Sequence, residues 1–384
     1  MERPNRDIYV KSDSFEALAG KMPGGTEALE RLAALGARLD GMNLPDERRD
    51  VLAKACRALT GGALNGEPEF ALKRHIVEEV RRLSDDELPR YLFYRYRYDV
   101  YPTTRQLDAF PPCVQIEPTS ICNYRCVFCY QTDRSFTQGR QGHMGMMDLE
   151  MFKNVVDQIE GEVEAVTLAS RGEPLMCRNI KEMLEYLRGK FLGLKMNTNA
   201  WFLTEELAHT ILQTGLNTLV FSVDAAEPEL YARLRVNGKL ERVLENIKMF
   251  SEVRRKHYPD SRLITRTSGV HFSDEQDFDK MQEFWSEFVD QVAFVDYNPW
   301  ENAYETAPRG IEAPCSDLWR RMFIWWDGRA NPCDVDYKSE LAVGNAGELD
   351  VSSLWRSDAY EDLRRRHIAG KRGALTPCAG CAVV

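Results

Sequence analysis

The chain reads as an α/β protein: a partial (β/α)6 barrel with an N-terminal helical extension and a small C-terminal domain that carries cysteines. Three observations predict this. Between about residues 106 and 305, short apolar runs alternate with longer amphipathic segments, the pattern of parallel strands joined by helices. Residues 1–105 carry apolar stripes at helical spacing. Residues 306–384 hold Cys315, Cys333, Cys378 and Cys381 in a C-x17-C-x44-C-x2-C pattern.

Composition sets outer bounds. The 384 residues are 43% hydrophobic and 29% charged, an ordinary globular mixture. A formal net charge of −10 argues against nonspecific nucleic-acid binding, which needs a basic surface. No run approaches the ~18 apolar residues of a membrane helix, and Met1 to Asp7 lacks the apolar core of a secretory signal. A cytoplasmic protein is expected. In that reducing compartment ten cysteines point to metal or redox work rather than disulfides.

In chain order, Glu27 to Leu39 places Leu29, Leu32 and Leu35 on one helical face. Pro45 opens a second helix that runs through Val51, Leu52, Ala55 and Leu59 to a Gly61-Gly62 stop, and Phe70 to Leu83 predicts a third. Tyr91 to Tyr98 interleaves aromatic and basic residues. Such a stretch can stack bases, but we read it as the end of an amphipathic helix covering a core. These stripes need a partner surface, either the following domain or a second subunit in a homodimer. Strands are expected at Cys113–Ile116, Ala165–Ala169, Leu192–Met196, Leu219–Val223, Leu263–Val270 and Val292–Val295, with helices between. Right-handed crossovers curl six such strands into a partial barrel, whose chemistry sits at the C-terminal strand ends.

Cys122, Cys126 and Cys129 form a C-x3-C-x2-C set on a loop after the first of these strands. Thiolates so spaced can converge on one inorganic centre. Zinc and iron–sulfur clusters ordinarily take four protein ligands, so a four-iron cluster held by three leaves one iron open. Glu117-Pro118-Thr119-Ser120-Ile121-Cys122, continuing to Cys129-Tyr130, resembles the signature of the radical S-adenosylmethionine (SAM) superfamily. The resemblance implies a TIM-like barrel whose open iron binds SAM. One electron from the cluster then cleaves SAM to a 5′-deoxyadenosyl radical, which takes a hydrogen atom from a small-molecule substrate. An electron donor such as flavodoxin or ferredoxin is implied as a partner; no membrane or nucleic acid is.

Further motifs fall at strand ends. After the second strand, Gly172 lets the backbone approach a ligand closely and Glu173 can accept from an ammonium. Gly172-Glu173-Pro174 is similar to the family's G-G-E-P, which holds the SAM amino group, although Arg171 replaces the first glycine. That departure places a charge near the substrate or at the rim. Asn197-Thr198-Asn199-Ala200 resembles the family's T-N-G beside the ribose and methionyl parts of SAM; with Ala200 in place of glycine, a positive φ is strained. By the same resemblance Ser222 and Asp224 serve ribose hydroxyls or the SAM carboxylate, Arg235 a carboxylate, and Phe128 the adenine. Arg266, if it faces inward, orients a hydroxylated substrate or relays a proton. Tyr297, Asn298 and Glu301 follow the sixth strand at the same mouth. Cys177 is read first as a core thiol and alternatively as a hydrogen-atom donor.

In the C-terminal region, Asp327-Gly328 between two short apolar runs signals a hairpin, and Leu354 to Ile368 reads as one helix. Four thiolates there can close around Zn2+ or a cluster. The region resembles the twitch domain, a shortened relative of the SPASM domain with one auxiliary 4Fe-4S cluster, and its spacings resemble those of radical SAM dehydrogenases of aminocyclitol and sugar biosynthesis. The implied reaction is oxidation of a secondary alcohol to a ketone, with the auxiliary cluster accepting an electron. Peptide modification and epimerisation through Cys177 are the rival reactions.

Overall fold

The computed structural model describes residues 8–10, 15–17, 25–61, 70–71, 73–300 and 303–384. Four helices come early: α1 (Gly25–Arg38), α2 (Asp46–Leu59), α3 (Arg74–Arg82) and α4 (Leu88–Thr104). Among the described residues one sheet holds ten strands. They are β1 (Phe15–Ala17), β2 (Cys113–Ile116), β3 (Ala165–Leu168), β4 (Gly193–Thr198), β5 (Thr218–Ser222), β6 (Ile264–His271), β7 (Gln291–Asp296), β8 (Arg321–Ile324), β9 (Arg329–Asn331) and β10 (Gly344–Asn345). Strands β2 to β7 are parallel neighbours in chain order, the expected six-stranded partial barrel. Strand β8 pairs in parallel with β2 (Arg321↔Cys113), and β9 and β10 follow antiparallel. The C-terminal hairpin thus continues the barrel sheet.

The barrel repeats a simple local grammar. Polar caps start its helices: Asp148 accepts from Glu150 N before α5 (Leu149–Ile159), and Thr204 from Leu207 N before α7 (Glu205–Thr214). Between these lies α6 (Ile180–Tyr186), and α8 (Leu240–His257) and α9 (Phe278–Ser286) follow. Their apolar faces bury Val155, Val156, Met183, Ile211, Ile247 and Phe250 against the outward residues of the strands, such as Val114, Val166, Leu194 and Leu219. Strand β4 alternates strictly. Leu194, Met196 and Thr198 are buried outward, while Gly193, Lys195 and Asn197 occupy the other, half-buried face.

The N-terminal helices close the other end. Their core of Leu32, Leu35, Leu52, Ile76, Val80 and Leu92 takes in Cys113 and Ala165 at the starts of β2 and β3. The Tyr94 ring stands 3.4 Å from where a Cβ on Gly193 would be. The guanidiniums of Arg320 and Arg321 lie 5.3 and 5.5 Å from the Tyr98 ring. Glu164 takes both Arg90 nitrogens at 2.6 and 2.8 Å, and Glu87 takes Arg262 at 2.7 and 3.0 Å. Apart from the exposed Leu29, the described stripe residues are covered by the helices themselves and the chain's own barrel. Two local readings are corrected. Phe15–Ala17 is a strand, antiparallel to β7, inside the region read as helical; three residues are too few to show a period. The segment Leu354 to Ile368 is two helices, α10 (Val351–Trp355) and α11 (Asp358–Ile368), because the Ser357 side chain caps the second by accepting from Tyr360 N.

One ion pair joins barrel and hairpin. Glu117, just after β2, and Arg171, just after β3, are fully enclosed. Arg171 Nε and Nη2 donate to the two Glu117 oxygens at 2.7 and 2.6 Å, Nη1 donates to Tyr337 O at 2.8 Å, and the guanidinium lies 4.3 Å from the Trp325 ring. Arg171 is thus sealed in the interior and not at the rim. Removing one member strands the other, at a typical cost of 3–5 kcal/mol. Arg171→Met should therefore lower stability by about 3–5 kcal/mol, and Glu117→Gln combined with Arg171→Met should lose less than the sum of the single losses. Anaerobic denaturant unfolding measures all three, and strictly additive losses would show that the pair is not coupled.

Candidate active site

A cavity of about 390 Å3 runs up the inside of the barrel. It begins at Gln115, Thr167 and Lys195 and rises to Ser222, Val270 and Tyr297 at the strand ends. Phe128 and Tyr130 of the first cysteine loop line one side; Asp334 and Val383 of the C-terminal domain line another. Tyr9 also lines the cavity, its N–H donating to Ala382 O (2.9 Å) and its carbonyl accepting from Val384 N (3.1 Å).

The first cysteine loop is positioned by backbone pairing. Arg125–Cys126 pairs antiparallel with Arg235–Val236. The Cys122 sulfur accepts from Tyr124 N at 3.4 Å and the Cys129 sulfur from Gln131 N at 3.5 Å. Arg235 Nη1 donates to the Cys126 sulfur at 3.7 Å, and its guanidinium lies 5.7 Å from the Phe128 ring. Asp224 holds Arg235 there through Nε, and its other oxygen accepts from Val270 N at 2.6 Å. Asp224 is fully buried and does not line the cavity, so it positions Arg235 rather than meeting a ligand.

Loops after β3 and β4 are bound together by Glu173. One carboxylate oxygen accepts from Leu175 N (3.1 Å) and the Thr198 hydroxyl (2.6 Å), the other from Asn199 N (2.7 Å). A carboxylate has about four acceptor positions, so one remains for an ammonium. Burial pushes its pKa up. Gly172 is obligatory: a Cβ there would stand 2.3 Å from Thr119 O and 2.6 Å from Ile121 O. Pro174 follows as the first residue of a short 3-10 turn. Asn199 Nδ2 donates to Asn123 Oδ1 at 2.9 Å, tying this loop to the cysteine loop. Ala200 does have φ of 60°, the strained left-handed value expected there. Asn197 lines the cavity, and its Oδ1 is buried and lacks a donor among the described residues.

The second set converges as well. Cys315, Cys333, Cys378 and Cys381 all line one small cavity in the C-terminal domain. Among the described residues no three or more such side chains are spaced for a single ion; the larger core of a cluster fits thiols that share a cavity instead. Arg372 donates to the carbonyls of Val383 (2.8 Å), Ala313 (3.1 Å) and Cys381 (3.2 Å), fixing the tail that carries the last two cysteines. Burial raises the thiol pKa at Cys122 and Cys315 to about 12, and raises those of Cys126, Cys129, Cys333 and Cys378. Thiolates in such places need a cationic centre of their own, which a bound cluster supplies. The four thiols of the second set share one cavity, and the three of the first share one loop.

Of the other sequence-derived residues, Phe128, Asn197, Ser222, Arg235, Arg266, Tyr297 and Asn298 meet at the cavity. Arg266 faces inward and donates from Nε to Gln291 Oε1 at 2.7 Å. Glu301 lies outside the described residues. Cys177 is 3% exposed within the apolar core, as its first reading expected, and does not line the cavity, which counts against the alternative of a hydrogen-atom donor. Sequence reasoning missed Lys195, Asp334 and Trp300, whose Nε1 donates to Phe128 O at 2.8 Å. A lone lysine in an otherwise apolar strand was the available signal for the first.

Two glycine-type positions make a paired test. Ala200→Gly relieves the left-handed strain and should stabilise the chain by a net of roughly 0.5–1 kcal/mol after the added freedom of the unfolded state. Gly172→Ala should destabilise by about 1–3 kcal/mol through forced overpacking. Opposite signs in thermal melts are the expected result; a destabilising Ala200→Gly would contradict the strain.

The radical SAM superfamily model matches residues 116–284, and that of an iron–sulfur cluster-binding domain, SPASM, matches residues 315–382. A GTP 3′,8-cyclase of Desulforamulus reducens is 24% identical over 192 residues, 49% of this chain and 57% of its own length. The chain spans about half the length of the curated relatives it matches first. An S-adenosyl-L-methionine-dependent 2-deoxy-scyllo-inosamine dehydrogenase of Niallia circulans is 20% identical over 282 residues, 72% of this chain and 94% of that protein. Among solved structures, Streptococcus suis SuiB bound to the precursor peptide SuiA superposes with a TM-score of 0.55 at 18% identity, covering 72% of each chain. The paired family matches, on a barrel with a three-cysteine loop and a four-cysteine tail, show that this chain carries a radical SAM domain and a SPASM-type cluster domain, and these imply SAM, a 4Fe-4S cluster and an auxiliary cluster as its cofactors.

Proposed function

We propose that this enzyme is an oxidoreductase that converts a secondary alcohol of a small, sugar-like substrate to a ketone. The observation that carries the reading is that one cavity borders both cysteine sets. Phe128 and Tyr130 flank Cys129, Asp334 follows Cys333, and Val383 lies two residues after Cys381. A substrate there is within the neighbourhood of a hydrogen-abstracting site and of an electron-accepting one. Side chains of Gln115, Thr167, Asn197, Ser222, Ser268 and Asn298 line it with amides and hydroxyls, partners for a polyhydroxylated molecule. The similarity to the inosamine dehydrogenase along nearly its whole length supports the same reading.

SAM and the two clusters, when bound, supply the one-electron chemistry. The chain supplies placement. Asn197 and Ser222 receive SAM beside Phe128, and Arg235 steadies the Cys126 sulfur. Glu173, which does not line the cavity, holds the loops around it and keeps one acceptor position for the SAM ammonium. Arg266 and Tyr297 orient the hydroxyl of the substrate, and the permanently charged guanidinium of Arg266 favours loss of that hydroxyl's proton. Glu301 belongs to the same proposed set. Tyr9, paired to the C-terminal tail, lines the cavity and limits water, which favours a small molecule over a peptide chain. A flavodoxin or ferredoxin is the proposed electron source. Cys177 lies in the core and no cysteine lines the cavity among the described residues, which supports oxidation over a thiol-dependent epimerisation.

Cys378→Ala should still release 5′-deoxyadenosine from SAM under dithionite while ketone formation disappears. Product analysis over a panel of sugars and aminocyclitols, wild type against variant, provides the measurement. Undiminished ketone from the variant would remove the auxiliary cluster from the reaction. Deuterium uptake from solvent into an otherwise unchanged product would replace oxidation with epimerisation.

A further inference from the structure

The closed end of the cavity carries a charge to which the reaction above gives no role. Lys195 lies on β4, paired with Thr167 of β3 and Thr218 of β5, and on the face of the strand that looks into the cavity. Its ammonium has no hydrogen-bond or ion-pair partner among the described residues. The cations that act on it are Arg321 and Arg266, both of which line the same cavity; Arg321 pairs with Asp317 at 3.4 Å, and Glu78 and Glu79 act on Arg266. Facing Lys195 from below are the Cys113 thiol and Glu79, whose carboxylate already accepts from the Tyr91 hydroxyl at 2.6 Å. The two carboxylates that line the cavity, Asp296 and Asp334, both have partners within the structure, and Asp334 acts on Arg321.

Burial, followed by the repulsion of Arg321 and Arg266, pushes the Lys195 pKa down to about 8. The ammonium form still predominates at neutral pH. A buried ammonium without a hydrogen-bond or ion-pair partner is costly. The arrangement becomes favourable once an anion enters. Ammonium and guanidinium donors are the partners that phosphate and carboxylate oxygens take.

We propose that the substrate is an acid: its carboxylate or phosphate pairs with Lys195 at the floor of the barrel, within the field of Arg266 and Arg321, and so turns the reacting carbon up toward Phe128 and Asn197. This rests on the cavity being the substrate site, and it holds for any reaction carried out there. Because it concerns binding alone, its failure would leave the ketone assay untouched.

The test uses reconstituted holoenzyme with SAM, kept anaerobic, and inorganic phosphate as the probe, followed by 31P line broadening. Wild type should show saturable binding, weakened at least about tenfold in Lys195→Met and kept within about threefold in Lys195→Arg. The exposed Lys280→Met should bind as wild type does. Glucuronate and glucose 6-phosphate should displace the phosphate, and glucose should not; the tighter of the two competitors identifies the acid group as carboxylate or phosphate. No saturable binding by wild type, or equal binding by Lys195→Met, overturns the proposal. If Lys195→Met does not fold, the wild-type competition decides, and displacement by glucose as effective as by glucuronate overturns it.

Discussion

A carboxylate and a guanidinium, both sealed from water, set the geometry on which the site depends. Glu117 stands where the chain leaves β2 for the cysteine loop, and Arg171 where it leaves β3 for the Gly-Glu-Pro loop. Their bidentate contact fixes the origins of both loops relative to each other. Burying two charges is worthwhile only when every donor and acceptor is used, and here the surroundings provide for it. Glu117 also takes backbone N–H groups from Arg171 and Trp326, and Arg171 reaches Tyr337 O beneath Trp325. Those last contacts come from the C-terminal domain. The pair therefore orients the second cysteine set against the first.

The consequence is one cavity with three differently built boundaries. Gln115, Thr167 and Lys195 of the barrel strands provide a floor, which the N-terminal helices back from outside, and the first cysteine loop provides a wall of Phe128 and Tyr130. The C-terminal domain provides the opposite wall. Tyr130 stacks on Tyr337 at 4.9 Å, so the two walls also meet directly through aromatic contact. A domain attached only through its linker would be free to move relative to the barrel. Extension of the sheet by β8, the buried pair and this stack together make that separation costly.

What could be read from the sequence follows from the range of each interaction. Alternating strands and helices, the cysteine spacings and the Asp327-Gly328 hairpin are local patterns, and all appear in the fold. The strained φ at Ala200 was likewise legible, because the motif around it needs a turn that glycine usually makes. The enclosure of Arg171 was not legible because its partners are 54 and 166 residues away. Asp224 looked like a ligand for ribose, yet its carboxylate is occupied by Arg235 and Val270 N, a contact that exists only once β5 and β6 are side by side. Lys195 escaped notice for a related reason. A single lysine in a strand reads as an edge or surface residue until closure of the barrel shows which face is enclosed.

These long-range contacts also explain how the site can be ready before a ligand arrives. Glu173 holds two loops with three hydrogen bonds, Asp224 holds Arg235, and Asn199 links its loop to Asn123. Groups fixed in this way lose little freedom on binding and keep their dipoles aimed. The acceptor of Asn197 and the ammonium of Lys195 differ from them, since neither has a partner among the described residues. One is an acceptor high on β4 and the other a cation lower on the same strand, two residues apart on one face. A molecule that satisfies both must present a donor toward the strand end and an anion toward the floor, and that demand orients it along the barrel axis.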